Sequence, residues 1–145
     1  MFTRTTILAA EDMESDALLL NMAYKAAELP YRLIVVRDGQ RAVDYLKGAP
    51  PYDDRSKWPL PGMLLLDLKM PRMDGFEVLA WLRESREFDA LPVVVLSCSP
   101  REPDRQRAHE LGAREYLVKP LSYQELTVML RDLAARWLPA AEPAA

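Results

Sequence analysis

The amino-acid sequence predicts an α/β fold in which a parallel β-sheet is covered by helices on both faces. Two observations support this prediction: five short apolar runs occur along the chain, and the segments between them have helical spacing. Runs this short, rich in Val, Ile and Leu and free of polar residues, are typical of strands buried on both faces. Strands that alternate with helices favour a parallel sheet, because each helix carries the chain back to the same end of the sheet.

The apolar runs define the five strands in chain order. They cover residues 5–10, 33–36, 63–66, 93–96 and 116–118. Two of the intervening segments carry an apolar stripe at helical spacing. The stripes consist of Leu18, Met22, Ala26 and Leu29 in the first helix, and of Leu126, Leu130, Leu133 and Trp137 in the fifth.

Helix start and stop patterns support the same assignment. Asp74 with Glu77, and Ser122 with Glu125, have the spacing of a capping box. Asp38–Gly39 predicts the start of a helix that ends at Lys47, and Ser99–Pro100 predicts another start. Gly112 predicts a helix end.

Composition limits the class of protein. The 145 residues are 50% hydrophobic and 28% charged, as expected for one globular domain, which we place at residues 1–138 with a flexible tail at 139–145. The net charge is -3 and no basic run is long enough to follow a phosphate backbone, so no nucleic-acid partner is expected. Cys98 is the only cysteine, and no signal peptide or membrane span is evident. A cytoplasmic protein is the simplest interpretation.

Polar residues follow the strands where each strand ends. Glu11 and Asp12 follow the first strand, Asp67 the third, Ser97 the fourth and Lys119 the fifth. Each has a purely structural explanation: the acidic pair could cap a helix, Asp67 could be a turn residue, Ser97 could satisfy its own backbone, and Lys119 could be a solvated cation. Their coincidence at one edge of one sheet, where ligands of such folds bind, favours a functional site instead.

The chemistry of these residues favours a cation and a phosphoryl group. Three crowded carboxylates repel one another unless a cation neutralises them, and oxygen ligands in an open site suit Mg²⁺. Lys119 would add a second positive group and Ser97 a hydrogen-bond donor. Together they would form a cradle in which one carboxylate acts as the nucleophile towards phosphorus.

The chain resembles the receiver domains of response regulators from about Thr5 to Trp137. The matching segments are ILAAED at 7–12, LLLDLKMPRMDGFEVL at 64–79, VVVLS at 93–97 and GAREYLVKP at 112–120. An Asp followed by Met-Pro and Asp-Gly, with Lys-Pro further on, is a highly specific combination. The resemblance implies a flavodoxin-like sheet with strand order 2-1-3-4-5, and a signalling switch rather than an enzyme.

The resemblance also implies a role for each site residue. Asp67 would accept the phosphoryl group and would bind Mg²⁺ together with Asp12 and the backbone carbonyl of Lys69, while Glu11 would act through a water. Lys119 would pair with phosphoryl oxygens, and the Lys119–Pro120 bond would be cis. No other cofactor is implied. The domain would promote its own phosphorylation and dephosphorylation with Mg²⁺.

Ser97 and Tyr116 look like the switch pair of the family, in which the hydroxyl moves towards the phosphoryl group and the aromatic ring turns inward behind it. Tyr116 could instead be a plain core residue, since strand aromatics usually are. Cys98 stands where this family often has Ala or Gly. Its simplest interpretation is a small buried residue at a strand end, with a redox sensor as the alternative.

The resemblance further implies a sensor histidine kinase as partner and a response regulator that acts alone, because little sequence follows the fifth helix. VRDGQRAVDYLKG at 36–48, followed by a proline-containing loop at 49–61, is similar to regulators that accompany phytochrome kinases. We expect that loop to be an extended connection. A homodimer through the fourth helix, fifth strand and fifth helix is implied too, and Trp137 either anchors that surface or covers the core.

Two other functions would require different residues at this site. An adaptor that binds partners without phosphorylation would be favoured by loss of an acidic residue, of Asp67 or of Lys119, and none is lost. A phosphatase using an aspartyl phosphate would need an acid two residues after Asp67, where Lys69 stands. The sequence therefore argues against a phosphatase.

Overall fold

The computed structural model describes residues 6–138, and these form ten alternating elements. The predicted tail at 139–145 and the start of the first predicted strand, Thr5, lie outside the described residues. The elements, in chain order, are β1 Thr6–Ala10, α1 Glu14–Ala27, β2 Arg32–Val36, α2 Gly39–Lys47, β3 Met63–Leu66, α3 Gly75–Ser85, β4 Val93–Ser97, α4 Glu102–Glu110, β5 Glu115–Val118 and α5 Tyr123–Trp137.

The five strands form one parallel sheet in the order β2-β1-β3-β4-β5, as predicted. β1 pairs with β2 on one side and β3 on the other, with Ala10 level with Val36 and Leu66. β4 continues the sheet beside β3, and β5 forms its far edge. The strand order therefore reverses at β1 and β3, whose carboxyl ends lie side by side and open a crevice where a ligand can bind.

Strands buried on both faces divide the core into two clusters. Leu8, Leu64 and Leu66 point to the α2 and α3 side of the sheet, and Ile7 and Leu65 to the α1 and α5 side. β1, β3 and β4 are buried along their whole length. These strands are continuous apolar runs because both of their faces are covered. Burial holds the strands in place, so their carboxyl ends lie at fixed positions at the centre of the sheet.

Three of the predicted helix starts are confirmed. The side chain of Asp38 accepts a hydrogen bond from the Arg41 amide at 2.7 Å. Asp74 and Glu77 form a full capping box, and Ser122 accepts from the amide of Glu125 at 3.2 Å. The start predicted at Ser99 is wrong, because α4 begins at Glu102. The hydroxyl of Ser99 is used instead in a 2.6 Å bond to the side chain of Asp104.

The predicted apolar stripe of α1 is wrong, whereas that of α5 is confirmed. Leu18 and Met22 are 62% and 50% exposed. The buried side chains of α1 are Ala17, Leu20, Ala23, Tyr24 and Ala27. α1 packs against α5 through these residues, three of which are alanines. The buried face of α1 is therefore a different one from the predicted stripe, and its small side chains suit a close helix contact.

The segment 49–61 is not the extended connection that was expected. Its Arg55 donates to the carbonyls of Tyr45 and Leu46, each at 2.8 Å, at the end of α2. Tyr52 and Trp58 pack around the ring of Tyr45 with ring centroids 5.1 and 6.2 Å away. The loop thus folds back and covers the α2 side of the core.

Within residues 6–138, no helix has the length and apolar character needed to cross a bilayer.

The corrected face of α1 predicts unequal effects of two neighbouring leucines on stability. Leu20→Ala should lower the free energy of unfolding by about 2–5 kcal/mol, because it leaves a cavity against α5. Leu18→Ala is the matched control and should change it by less than about 1 kcal/mol. Urea unfolding followed by circular dichroism measures both. Equal losses would contradict the assignment of the buried face.

Candidate functional site

Backbone hydrogen bonds bring the predicted site residues to one edge of the sheet. The amide of Asp67 donates to the Ala10 carbonyl at 3.1 Å, and the amide of Lys119 donates to the Ser97 carbonyl at 2.8 Å. The amide of Glu11 donates to the Val36 carbonyl at 2.9 Å. The hydrogen-bond pattern of the sheet therefore continues just past the strand ends. It fixes the backbone of Glu11, Asp67 and Lys119 relative to the sheet.

Glu11, Asp12 and Asp67 form one acidic cluster. One carboxylate oxygen from each lies within 4.8 Å of the other two. Glu11 and Asp67 are buried, and Oδ1 of Asp12 is buried without a hydrogen-bond partner. At an effective dielectric constant of about 20, two charges this far apart repel by roughly 3–4 kcal/mol. A buried, unpaired carboxylate oxygen beside two others fits a site for a divalent cation.

Lys119 supplies the positive charge in this cluster. Its Nζ donates to Oε1 of Glu11, to Oδ2 of Asp16 at 2.9 Å and to Oδ2 of Asp67 at 3.1 Å. Burial opposes the charged form, but the hydrogen bonds that Lys119 donates to Glu11 and Asp16 outweigh it and raise the pKa of Lys119 above its usual range. Lys119 is therefore a permanent cation at the carboxylate of Asp67.

The same surroundings raise the pKa of Glu11 as well, which favours its neutral form. Burial raises the pKa of Glu11 to about 7, and the charge of Asp67 acts in the same direction against the lowering effect of Lys119. One ammonium does not neutralise the several carboxylates that surround it. The cluster consequently carries excess negative charge, which a cation or a proton must balance.

The loop after β3 is shaped to present Asp67. The amide of Gly75 donates to the Leu68 carbonyl at 2.9 Å, and a Cβ added at Gly75 would lie 2.4 Å from the carbonyl oxygen of Asp67. Only glycine permits that approach. Lys69 follows with an exposed side chain, and it lines an open cleft together with Asp12.

Ser97 and Tyr116, the predicted switch pair, both bond to the backbone of Ser99. Ser97 is buried, and its hydroxyl accepts from the Ser99 amide at 3.1 Å. Tyr116 is buried as well, and its hydroxyl donates to the Ser99 carbonyl at 2.7 Å. The guanidinium of Arg105 stacks on the Tyr116 ring at 4.9 Å and donates to its carbonyl. The tyrosine ring is thus turned inward, as the core alternative requires.

Three expectations about neighbouring residues need correction. Cys98 is exposed, not buried, because it points away from the core at the end of β4. The Lys119–Pro120 bond is not cis; the cis bond found among residues 6–138 joins Pro50 to Pro51. The trans form is the more stable one for X–Pro bonds by about 0.5–1 kcal/mol. Glu11 and Asp12 do not cap α1, which begins without a side-chain cap.

Asp16 is the site residue that the sequence analysis missed. It lies in the first turn of α1 and reaches Lys119 across the site. Acidic residues are common in the first turn of a helix, because the helix dipole favours negative charge there. The position of Asp16 in the sequence therefore did not mark it as a site residue.

Trp137 is half-buried, packs against the core and donates to the carboxylate of Glu115, which favours the core-covering alternative.

The geometry predicts a pH-dependent affinity for divalent cations. Since the pKa of Glu11 is about 7, the carboxyl holds a proton below that pH and must lose it when a cation binds. Affinity for Mn²⁺ should therefore rise by up to about tenfold per pH unit towards pH 7 and then level off. Titration calorimetry at several pH values measures this. Glu11→Gln should bind more weakly with a flatter profile, and an unchanged profile would contradict the assignment.

Comparison with known proteins agrees with this geometry. The family described as the response regulator receiver domain matches residues 7–131. The chain is 36% identical to the probable methanogenesis regulatory protein FilR2 of Methanothrix harundinacea, over 91% of this chain and 83% of that protein. It is 34% identical to response regulator Rcp1 of Synechocystis, over 91% of this chain and 88% of Rcp1.

Solved structures give the same result. The Mn²⁺-bound form of Rcp1 superposes with a TM-score of 0.81 at 33% identity, covering 97% of this chain and 99% of that one. The phosphorylated cyanobacterial phytochrome response regulator RcpA gives 0.84 at 31% identity, with coverages of 98% and 100%. A response regulator in red light signaling of R. palustris gives 0.87 at 35% identity, with coverages of 97% and 99%.

Proposed function

The chain belongs to the response regulator receiver domain family and is related to phytochrome response regulators, and from this we propose that Asp67 accepts a phosphoryl group from a sensor histidine kinase. The observation that carries the proposal is the buried carboxylate of Asp67, 3.1 Å from Nζ of Lys119 and within 4.8 Å of two further carboxylates. This arrangement places a nucleophile between a fixed cation and a candidate divalent-cation site.

Each residue has a distinct role in the proposed transfer. A carboxylate oxygen of Asp67 bonds to phosphorus while the bond from phosphorus to the donor breaks, and the donor leaves with the electron pair. Lys119 holds phosphoryl oxygens by charge-assisted hydrogen bonds. Asp12, Asp67 and the backbone carbonyl of Lys69 would hold Mg²⁺, with Glu11 acting through a water. When bound, Mg²⁺ would neutralise the charge of the phosphoryl oxygens.

The switch that follows phosphorylation would involve Ser97 and Tyr116. The hydroxyl of Ser97 donates nothing to Asp67 here and is free to turn towards a phosphoryl oxygen. Tyr116 already occupies the inward position, where its hydroxyl bonds to the Ser99 carbonyl. The phosphoryl group would therefore act mainly on the segment from Ser97 to Ser99, and it would favour an arrangement that the free domain samples.

The proposed phosphodonor is a phytochrome-type kinase, in the cytoplasm. Support comes from the relatives, two of which are described by phytochrome or red-light signalling. Leu121 is fully exposed and lines a cavity of about 170 Å³ together with Asp16 and Lys119, and Leu18 is exposed on α1. A kinase could bury these exposed apolar side chains in an interface beside the site.

A homodimer through α4, β5 and α5 remains part of the proposal. β5 is an edge strand, and its Val118 is exposed. Unpaired backbone at a sheet edge favours contact with another chain. Glu115 and Arg136 on this face already bond to each other through two 2.9 Å contacts, which leaves them less available to a partner.

Phosphorylation from a small donor tests the assignment of Asp67. Wild type incubated with Mg²⁺ and acetyl phosphate should gain one phosphoryl group by intact mass, whereas Asp67→Asn should gain none, because its amide is not a nucleophile. Asp132→Asn, which removes an exposed carboxylate on α5, is the control and should behave as wild type. Phosphorylation of Asp67→Asn at the wild-type rate would refute the assignment. A wild type that stays unmodified would favour the adaptor function.

Phosphotransfer kinetics test the kinase. A phytochrome-type kinase that carries a radiolabelled phosphoryl group should transfer it to this domain at least about tenfold faster than a histidine kinase without a photosensor. The reason is that the contact surfaces of a kinase and its own response regulator favour each other over other partners. Radiolabel transfer over short times measures the rates. Equal rates would remove the phytochrome assignment and leave the phosphoacceptor role intact.

A further inference from the structure

Lys119 has three N–H donors, and all three are in use. They bind the carboxylates of Glu11, just after β1, of Asp16, in α1, and of Asp67, just after β3. Only 13% of the Lys119 side chain is exposed, so water does not compete strongly for these bonds. An incoming phosphoryl oxygen must therefore take over a donor that a carboxylate now holds.

Asp16 differs from the other two carboxylates in its surroundings. Glu11 and Asp67 belong to the cluster that fits a divalent cation, and Asp16 does not. A cation in that cluster would compete with Lys119 for Glu11 and Asp67. The carboxylate of Asp16 stays available to Lys119 in either case. Its position in the first turn of α1 also favours a negative charge.

We propose that Asp16 is a positioning residue that anchors the ammonium of Lys119, so that its two remaining N–H donors face the carboxylate of Asp67 and the phosphoryl group that forms there. This inference rests on the proposed phosphoacceptor role of Asp67. Lys119 reaches the site through a flexible four-carbon side chain, and its three N–H donors rotate about the terminal bond. A fixed acceptor on a helix removes that freedom before the donor binds.

The anchor uses a hydrogen bond as well as a charge, and two substitutions separate the two contributions. Asp16→Asn removes the charge but keeps a side-chain oxygen that can accept from Nζ. Asp16→Ala removes both. Glu14→Ala is the matched control, because it removes an exposed carboxylate from the same helix turn without touching Lys119.

The first measurement is the rate of phosphorylation by acetyl phosphate with saturating Mg²⁺. Asp16→Ala should be slower than wild type by about tenfold or more, since small misplacements of a catalytic group are costly. Asp16→Asn should stay within about threefold of wild type. Glu14→Ala should match wild type. Thermal unfolding confirms that each variant is folded, and Asp16→Ser, whose side chain is too short to reach, replaces the alanine variant if that one is not.

The second measurement reports on Lys119 without metal or phosphodonor. The ¹⁵N-labelled ammonium of Lys119 should give a slowly exchanging NMR signal in wild type and Asp16→Asn, and should lose it in Asp16→Ala. A purely structural role of Asp16 would change the unfolding temperature but would not separate the asparagine from the alanine variant.

Three results would overturn the inference. Asp16→Ala could react as fast as wild type or faster, which would make Asp16 a bystander or a competitor for Lys119. Asparagine could be as slow as alanine, which would assign the effect to charge alone. Glu14→Ala could be equally slow, which would make the effect unspecific. A wild type that is never phosphorylated would instead refute the role of Asp67, so the two failures are distinguishable.

Discussion

Several carboxylates crowded around one ammonium are the constraint on which the rest of this site depends. Glu11, Asp16 and Asp67 all bond to Lys119, and Asp12 adds a fourth acidic group with an unpaired oxygen. Such an arrangement is unfavourable for stability alone, because the negative charges exceed what Lys119 offsets. A divalent cation on Asp12 and Asp67 would offset this excess negative charge. Burial is the main reason why the pKa of Glu11 is raised to about 7, and the charge of Asp67 adds to the effect.

The fold enforces this crowding through backbone geometry. Parallel strands end at a common edge of the sheet. The backbone hydrogen bonds from Asp67 to Ala10 and from Lys119 to Ser97 fix the positions of the Asp67 and Lys119 side chains at this edge. Gly75 lets the loop after β3 close against the Asp67 carbonyl. Because β1, β3 and β4 are buried on both faces, the strand ends cannot move apart to relieve the repulsion. The apolar core thus offsets the electrostatic cost of the site.

The sequence predicted the sheet and most of the site because both depend on local, repeated patterns. Buried strands are visible as apolar runs, and Asp67 stands directly after one of them. The face of α1 was not predictable from apolar size, since alanines at Ala17, Ala23 and Ala27 give a close contact with α5 that larger neighbours do not. Asp16 was missed because its partner is 103 residues away, and no spacing rule connects a helix turn to the end of the last strand.

The central claim is that Asp67 is a nucleophile held between Lys119 and a divalent cation. A crystal structure of the protein with Mg²⁺ and beryllofluoride, a stable analogue of a phosphoryl group, tests it most directly. The account predicts beryllium bonded to a carboxylate oxygen of Asp67, a fluorine within hydrogen-bonding distance of Lys119 Nζ, and the metal on Asp12 and Asp67. Beryllofluoride bound elsewhere, or Asp67 still paired only with Lys119 at saturating analogue, would contradict it.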